Sequence, residues 1–408
     1  MIGPMSAARR IGRDHAALIF ALCVVVTVAY GALYYGFAVI ITDDAAGADF
    51  SRALLSVAYG GAVVTSGLAA VPIGRIADRV GVRAIMAVGT LVAAAGLLGF
   101  STATHGWQVV AIWWLVLGPA IAMTFYEPAY VAIQHAFGAQ SRARAIGALT
   151  LAAGLSGPIF TPGTAALVDA FGWRDATRLF AALLVACAPI AALLIRARPP
   201  QRPHGPVLKT RPTAELARLA HGRLALFTLG AVLAYGALEA VVVHRVARFE
   251  EDGFGLTTVT LWAAIAGLLT LPGRFVLPVL ARRLRATDVF AVVLLVLCAS
   301  TALMIRGDAY WQMALSFVLF GLVFGAALPL RAVVMGDWVA TATFGATMGA
   351  QAAVIAGGRA ALPAIVGLMH DRLDGYTATM ALLTTLLFTS AVLVATSGRR
   401  RAPTDQPR

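Results

Sequence analysis

The sequence has few charged residues: 12% of its 408 residues are Asp, Glu, Lys or Arg, and Lys209 is the single lysine. Soluble proteins carry about a quarter charged residues, so this content could not cover the surface of soluble domains of this length. The three cysteines, Cys23, Cys187 and Cys298, lie in apolar stretches, which indicates neither a disulfide framework nor a metal cluster. The sequence also lacks a phosphate-binding loop, a G-x-S-x-G motif and clustered metal ligands. We therefore expect no enzyme activity and no cofactor.

Apolar residues, by contrast, make up 60% of the chain. A helix needs about 20 apolar residues to cross a bilayer core that is about 30 Å thick. The short alternating segments of a membrane barrel are absent, so the predicted fold class is an all-α membrane protein. The sequence contains twelve runs long enough to span a membrane: 16–41, 53–73, 84–103, 107–133, 145–168, 178–195, 224–243, 256–280, 288–305, 310–335, 345–369 and 376–396.

The net charge of +13 is distributed unevenly between these runs. If the N-terminus is cytoplasmic and the runs alternate in direction, most Lys and Arg fall on the cytoplasmic side and most Asp and Glu on the other. This asymmetry predicts a multi-pass protein of the cell (inner) membrane with both termini in the cytoplasm. The basic charge then marks topology, and we expect no nucleic-acid partner.

A polar segment, 196–223, separates six runs from six and reads as a cytoplasmic linker, with a short interfacial helix over 212–222. It divides the chain into an N-terminal bundle, 1–195, and a C-terminal bundle, 224–408, that ends in a short basic tail. The two halves repeat, because proline and glycine recur at an offset of 200 or 201 residues. The matching positions are Gly67 and Gly267, Pro72 and Pro272, Pro128 and Pro329, and Pro162 and Pro363.

One loop carries a specific motif. Between the second and third runs stands Gly74-Arg75-Ile76-Ala77-Asp78-Arg79-Val80-Gly81-Val82-Arg83. Two glycines allow a tight turn and close helix approach, and Asp78 is suited to a helix N-terminus or to a neighbouring arginine. The segment resembles the G-x-x-x-D-R-x-G-x-R signature of the major facilitator superfamily. The alternative is a basic loop in which Asp and Gly are incidental.

The resemblance implies twelve helices in two pseudo-symmetric six-helix bundles that rock around a midplane site and give alternating access. It also implies gating roles for Gly74, Asp78, Arg79, Gly81 and Arg83. Two further segments resemble the bacterial monocarboxylate and oxalate–formate porters: Tyr34-Tyr35-Gly36, and Phe50-Ser51-Arg52-Ala53-Leu54-Leu55-Ser56. In oxalate-type porters the resemblance implies basic residues in the eighth and eleventh spans that receive an anion.

Arg274 and Arg359 occupy those two spans. An ionised residue at the centre of a membrane helix costs about 2.5–3.5 kcal/mol, so each needs a reason. The guanidinium of Arg359 could hold a carboxylate bidentately. Alternatively, Arg359 is structural, or pairs with Glu239 or Glu127. Arg274 could bind the substrate or extend its side chain to the membrane surface.

Glu127 lies in the fourth span, and Arg331 in the corresponding part of the tenth. We predict that they pair across the bundles as an inner gate; Glu127 could instead be a protonatable coupling group or an acid at the membrane surface. Glu239 is a candidate outer gate or proton acceptor, or a hydrated helix end, and the nearby His244 reads as a surface histidine. Tyr34 and Tyr126 are candidate cavity residues.

The sequence therefore predicts a secondary transporter of a small, monocarboxylate-like organic anion. Substrate-binding candidates are Arg359, Arg274, Tyr34 and Tyr126, and proton coupling is left open. The alternative is efflux of a drug or metabolite by proton antiport. Expected partners are the substrate, protons and the lipid bilayer, and the expected oligomeric state is a monomer.

Overall fold

The computed structural model describes residues 4–196, 212–373 and 375–399. Most of the predicted linker 196–223 and the basic tail 400–408 lie outside the described residues. The part of the linker that is described contains a helix, Pro212–Leu219, where a short helix is predicted. Within the described ranges every regular element is helical, as the apolar runs predict.

The first half of the chain folds into ten helices, some of which join through π-helical segments at Gly31–Gly36 and Trp113–Leu117. They are α1 (Pro4–Tyr30), α2 (Phe37–Ile40), α3 (Asp44–Asp49), α4 (Arg52–Val80), α5 (Val82–Ser101), α6 (Gly106–Ile112), α7 (Gly118–Thr124), α8 (Tyr126–Ala136), α9 (Ala139–Gly154) and α10 (Ser156–Leu194).

The second half contains eight helices and a short 3-10 turn at Thr341–Thr343. They are α11 (Pro212–Leu219), α12 (Gly222–Glu251), α13 (Leu256–Leu280), α14 (Ala286–Ala302), α15 (Tyr310–Phe324), α16 (Ala327–Trp338), α17 (Phe344–Leu373) and α18 (Thr377–Arg399).

The apolar helices account for all twelve predicted runs. Within the described residues, 10 helical stretches are long and apolar enough to cross a membrane. The longest, Ala139–Leu194, is divided by Gly172, whose φ of 80° breaks the helix between the fifth and sixth runs. The shorter apolar helix Ala286–Ala302 corresponds to the ninth run. Large apolar side chains such as Leu68 and Leu115 are exposed, which is the surface that a lipid environment requires.

The fourth and tenth spans are interrupted at equivalent places. Phe125 leaves the helical conformation (φ −82°, ψ −156°) between α7 and α8, and Gly325 and Ala326 separate α15 from α16. Each break precedes a proline, Pro128 or Pro329, whose missing N–H leaves a carbonyl four residues earlier without its usual helical donor. Interrupted membrane helices commonly mark binding sites, because their freed ends can face a ligand.

By contacts the chain divides into two compact units: residues 1–209 with 338–353, and residues 210–337 with 354–408. In the first unit α5 packs against α10, around a core that includes Trp113, Phe100 and Trp173. In the second unit α12 and α14 pack against α18, and α13 packs against α15. The first turns of α17 belong to the first unit, and the rest of that helix to the second.

Candidate functional site

The motif residue Asp78 binds the start of another helix. Its side chain is buried near the end of α4 and accepts hydrogen bonds from the backbone N–H groups of Gly345 and Ala346, both at 2.9 Å. These donors lie in the first turn of α17, where N–H groups have no partner within the helix and the helix dipole favours a negative charge. The carboxylate therefore fixes the N-terminus of α17 to the end of α4.

Glycines in the motif make this contact possible. Gly81 joins α4 to α5 with φ 88°, a conformation that residues with a Cβ rarely adopt. A Cβ built on Gly74 would lie 2.1 Å from the carbonyl oxygen of Gly345, and one on Gly349 would lie 2.1 Å from that of Ala70. Both obstacles are backbone atoms, which cannot rotate away. The backbones of α4 and α17 can touch only because these positions lack side chains.

Gly74→Ala is expected to destabilise the protein by about 1–3 kcal/mol, the usual cost of overpacking a well-packed contact. The measurement is the thermal midpoint of the purified protein in detergent. Gly163→Ala is the matched control, since a Cβ at that position in α10 meets nothing within 4 Å. Alanine also favours a helix over glycine, so the control should not lose stability. Equal midpoints for Gly74→Ala and wild type would contradict the backbone contact.

The two exposed arginines of the motif, Arg79 and Arg83, lie at the ends of α4 and α5 that this turn joins. His135, near the end of α8, was not singled out by the sequence analysis. Its Nε2 lies 3.7 Å from Oδ1 of Asp78, and both side chains are buried. The surroundings of Asp78 thus combine a helix N-terminus with a histidine that no motif includes.

Glu127 occupies the first turn of α8, directly after the break in the fourth span. A carboxylate is favoured there by the N-terminal end of the helix dipole. Arg331 is 3% exposed in α16, and its guanidinium lies 6.0 Å from the ring centroid of Tyr235. Glu127 and Arg331 belong to different compact units, so their pairing stays a prediction.

The side chain of Arg274 packs against the break in the tenth span, at Gly325. Its helix, α13, continues through Pro272, and Gly273 lets α13 approach α15: a Cβ there would lie 2.5 Å from the carbonyl oxygen of Leu322. A Cβ built on Gly325 would lie 2.8 Å from Cγ of Arg274, so the side chain passes directly over the end of α15. A cation is favoured near the C-terminal carbonyls of a helix. This environment can hold the arginine beside the interrupted span.

Arg359 pairs with Glu239. Its Nε and Nη2 lie 2.9 Å and 2.8 Å from the same carboxylate oxygen, Oε2. The pair joins α17 to α12, and the two helices are close because a Cβ on Gly236 would lie 2.8 Å from the carbonyl oxygen of Gly358. The side chains are 38% and 31% exposed, so the pair is neither fully buried nor fully open. Of the alternatives that the sequence left open, the structure places Arg359 with Glu239.

The candidate tyrosines lie in one aromatic cluster of the first unit. Tyr34 is in the π-helical segment Gly31–Gly36, with its ring centroid 6.1 Å from that of Tyr30. Tyr126 begins α8, 4.9 Å from Tyr30 and stacked at 5.6 Å on Tyr130. Tyr30 also stacks on Phe125, the residue at the break, at 3.8 Å. Tyr34 and Tyr126 are thus linked through Tyr30 beside the interrupted fourth span.

Sequence reasoning missed a second polar group on α12 and α17. His244 contacts the carbonyl oxygen of Pro363 and the hydroxyl of Tyr376, and His370 contacts Glu251. An available signal was the equal spacing of seven residues from His244 to Glu251 and from Pro363 to His370. That spacing corresponds to two helical turns and keeps both residues of each helix on one face.

The sequence matches the family profile described as "Major Facilitator Superfamily" over residues 18–307, well over half of the chain. The chain belongs to the major facilitator superfamily. This family consists of transporters, and its fold supports a secondary transporter that spans the membrane many times. No curated protein matches the sequence significantly.

Solved structures of other superfamily members have the same fold. The human organic anion transporter MFSD10 (TETRAN) is 16% identical with a TM-score of 0.69, and the match covers 94% of this chain and 99% of that one. The E. coli fucose:proton symporter FucP is 13% identical with a TM-score of 0.74, over 94% and 98% of the two chains. The proton:xylose symporter XylE is 14% identical with a TM-score of 0.66, over 94% and 95%. At these identities the similarity establishes the fold alone.

Proposed function

We propose that this transporter moves small, monocarboxylate-like organic anions together with protons by alternating access. The observation that carries the proposal is the ion pair between Arg359 and Glu239. Two charges at membrane depth are stable only when each has a partner. A substrate carboxylate is the natural substitute for the Glu239 carboxylate, because the guanidinium can donate its N–H groups to either one.

The pair couples the two ligands through charge. Protonation of Glu239 removes the negative charge that this carboxylate presents to Arg359. An organic anion restores the balance, so the proton and the anion each favour binding of the other, and the coupling is reciprocal. Loss of the proton to the opposite side regenerates the Glu239 carboxylate, which displaces the substrate. One proton and one monocarboxylate move per cycle, and the transport step is electroneutral.

Two other features support an anionic substrate. Arg274, in the eighth span, places a second cation in the same compact unit as Arg359. Segments around Tyr34 and Arg52 resemble the monocarboxylate and oxalate–formate porters, and MFSD10, which has the same fold, is an organic anion transporter. We place the protein in the inner membrane with both termini in the cytoplasm, on the distribution of its basic residues.

The test is transport in proteoliposomes. A panel of carboxylates, such as formate, lactate, oxalate and benzoate, is offered with and without an inward proton gradient, and protein-free vesicles correct for leak. We expect at least one acid to accumulate only when the outside is more acidic. Failure of every carboxylate to move, or accumulation that ignores the gradient, would contradict the proposal.

Efflux of an apolar drug or metabolite by proton antiport is the second candidate. The aromatic cluster around Tyr30, Phe125 and Tyr126 favours it, because stacked rings bind apolar and cationic ligands. Under this alternative Glu127, at the start of α8, would be the coupling acid. The same vesicles distinguish the two: proton-driven movement of a lipophilic cation, without movement of any carboxylate, would favour efflux.

We further propose that Glu127 and Arg331 form the inner gate across the two bundles. Glu127→Arg and Arg331→Glu should each lower the transport rate by about tenfold or more, because each places two like charges together. The double exchange, Glu127→Arg with Arg331→Glu, should recover much of the wild-type rate. Absence of recovery, with normal expression of the double variant, would refute the pairing.

A further inference from the structure

Helices α12 and α17 are joined by three polar contacts in succession. Glu239 meets Arg359, His244 meets the carbonyl oxygen of Pro363, and Glu251 meets His370. The order is the same along both helices, so the helices run in parallel. Twelve residues separate the first contact from the last along α12, about 18 Å at 1.5 Å per residue. We call these three contacts the α12–α17 seam.

The middle contact determines which ring nitrogen of neutral His244 carries the hydrogen. A carbonyl can only accept a hydrogen bond, so Nε2, 3.0 Å from the oxygen of Pro363, carries the hydrogen. In the neutral ring Nδ1 is then an acceptor, and it lies 3.2 Å from the hydroxyl of Tyr376. The Tyr376 phenol carries a hydrogen and can donate it to Nδ1. His244 thus presents a basic nitrogen to a hydroxyl group.

The last contact of the seam, Glu251 with His370, lies at the end where the carboxylates are exposed. Nε2 of His370 lies 2.5 Å from Oε1 of Glu251, and its Nδ1 lies 3.3 Å from Oδ1 of Asp371. Glu251 and Asp371 are 40% and 77% exposed. The ring of His370 packs 4.3 Å from that of Tyr376, which in turn contacts His244. We call the exposed carboxylates of Glu251 and Asp371 the rim. Titratable groups therefore continue from the rim to the middle of the seam.

The neighbouring basic residues on α12 are directed elsewhere. The guanidinium of Arg245 lies over the rings of Phe317 and Phe320, at 5.2 Å and 5.0 Å. Arg248 donates to the carbonyl oxygens of Met304 and Ile305 and pairs with Asp252. Among the residues that the structure describes, the titratable groups in contact with His244 and His370 are therefore Tyr376, Glu251 and Asp371, and none of these carries a positive charge.

We propose that the α12–α17 seam is the proton-entry route of the transporter, and that His244 holds the proton between the exposed carboxylates and Glu239. A proton from water, gathered at the rim, adds to Nδ1 by way of the Tyr376 hydroxyl and gives the imidazolium. The imidazolium loses the proton on Nε2, beside Pro363 and one helical turn from Arg359. The Glu239 carboxylate accepts that proton and becomes neutral, and Arg359 is released for the anion. The inference rests on the proposed function, since it supplies the proton for that exchange.

His244→Gln tests the proposal, because the amide can keep both hydrogen bonds but cannot be protonated. Two assays are compared in proteoliposomes with the carboxylate that the wild type transports. The initial rate of uptake driven by a proton gradient should fall by about tenfold or more, as for loss of a proton-transfer group. Counterflow, which exchanges substrate without net proton movement, should stay within about twofold of wild type.

His221→Gln is the matched control, since His221 is exposed and lies outside the seam. Tyr376→Phe removes the hydroxyl but keeps the ring contacts, and it should lower the proton-driven rate selectively in the same way. If His244→Gln fails to elute as a folded protein in size-exclusion chromatography, Tyr376→Phe decides the question.

The outcomes separate the two proposals. A wild type that moves no carboxylate would refute the proposed function, and this route with it. A wild type with proton-driven uptake and variants with unchanged proton-driven rates would overturn the route alone. Equal loss of counterflow and proton-driven uptake in both variants would assign His244 a structural role, and would also overturn the route.

Discussion

Arg359→Gln is expected to reduce carboxylate uptake by about two orders of magnitude, because charge-assisted hydrogen bonds from a guanidinium to a carboxylate contribute roughly 3 kcal/mol. The variant loses the group that the substrate would share with Glu239, 2.8 Å away. Glu239→Gln should behave differently. It removes the internal competitor for the guanidinium, so the anion should bind more tightly, while the proton gradient no longer drives accumulation. The measurements are the initial uptake rate, the KM and the accumulation ratio in proteoliposomes.

Stability separates this functional effect from misfolding. Either single variant leaves one charge of the pair without its partner, which should lower the thermal midpoint. The double variant, Glu239→Gln with Arg359→Gln, removes both charges and should recover stability without recovering transport. Arg178→Gln is the control, since its partner Asp175 forms an exposed ion pair of little energetic weight. Wild-type uptake by Arg359→Gln would refute the anion site.

Asp78→Ala is expected to lower the free energy of unfolding by about 3 kcal/mol or more. Each of its two charge-assisted hydrogen bonds to the start of α17 contributes roughly 1.5–3 kcal/mol, and the N–H groups of Gly345 and Ala346 would be left buried and unsatisfied. Transport should be lost as well, because α17 carries Arg359 as well as these N–H groups. The thermal midpoint in detergent and the uptake rate are the two readouts.

A surface aspartate provides the comparison for Asp78. Asp44 is fully exposed and pairs with Arg52 at 3.3 Å, so Asp44→Ala should leave the thermal midpoint close to that of the wild type. Asp78→Asn keeps an acceptor oxygen but no charge, and it should fall between wild type and Asp78→Ala. If Asp78→Ala were as stable and as active as Asp44→Ala, the contact with α17 would be needed neither for stability nor for transport.

The helices follow from local chemistry, so the sequence was enough to predict them. A run of about 20 apolar residues forms a membrane-spanning helix whatever its neighbours are, because the backbone must satisfy its own hydrogen bonds in lipid. The breaks in the fourth and tenth spans were not predicted, because prolines such as Pro72 and Pro272 lie inside helices that continue, whereas the helices break before Pro128 and Pro329. The motif at Gly74–Arg83 identified the family, and its glycine at position 81 adopts the positive φ that such a turn needs.

The partners of the charged residues depend on which helices pack together. Asp78 and Ala346 are 268 residues apart in sequence, Glu239 and Arg359 are 120 apart, and Glu251 and His370 are 119 apart. The sequence offered both Glu239 and Glu127 as partners of Arg359, since charge alone does not distinguish them. The sequence analysis treated His244 as a surface histidine and did not consider His370, because a single histidine without a recurring spacing does not indicate its partner.

The sequence by itself thus determined that the chain is a bundle of membrane helices that resembles the major facilitator superfamily, and which runs span the membrane. Tertiary structure decided which helix Asp78 caps, which carboxylate holds Arg359, and that His244 and His370 both contact Tyr376. The physical reason is range. Hydrophobic length and backbone conformation act within one helix, whereas an ion pair or hydrogen bond forms only where glycines such as Gly74, Gly236 and Gly358 let two distant helices touch.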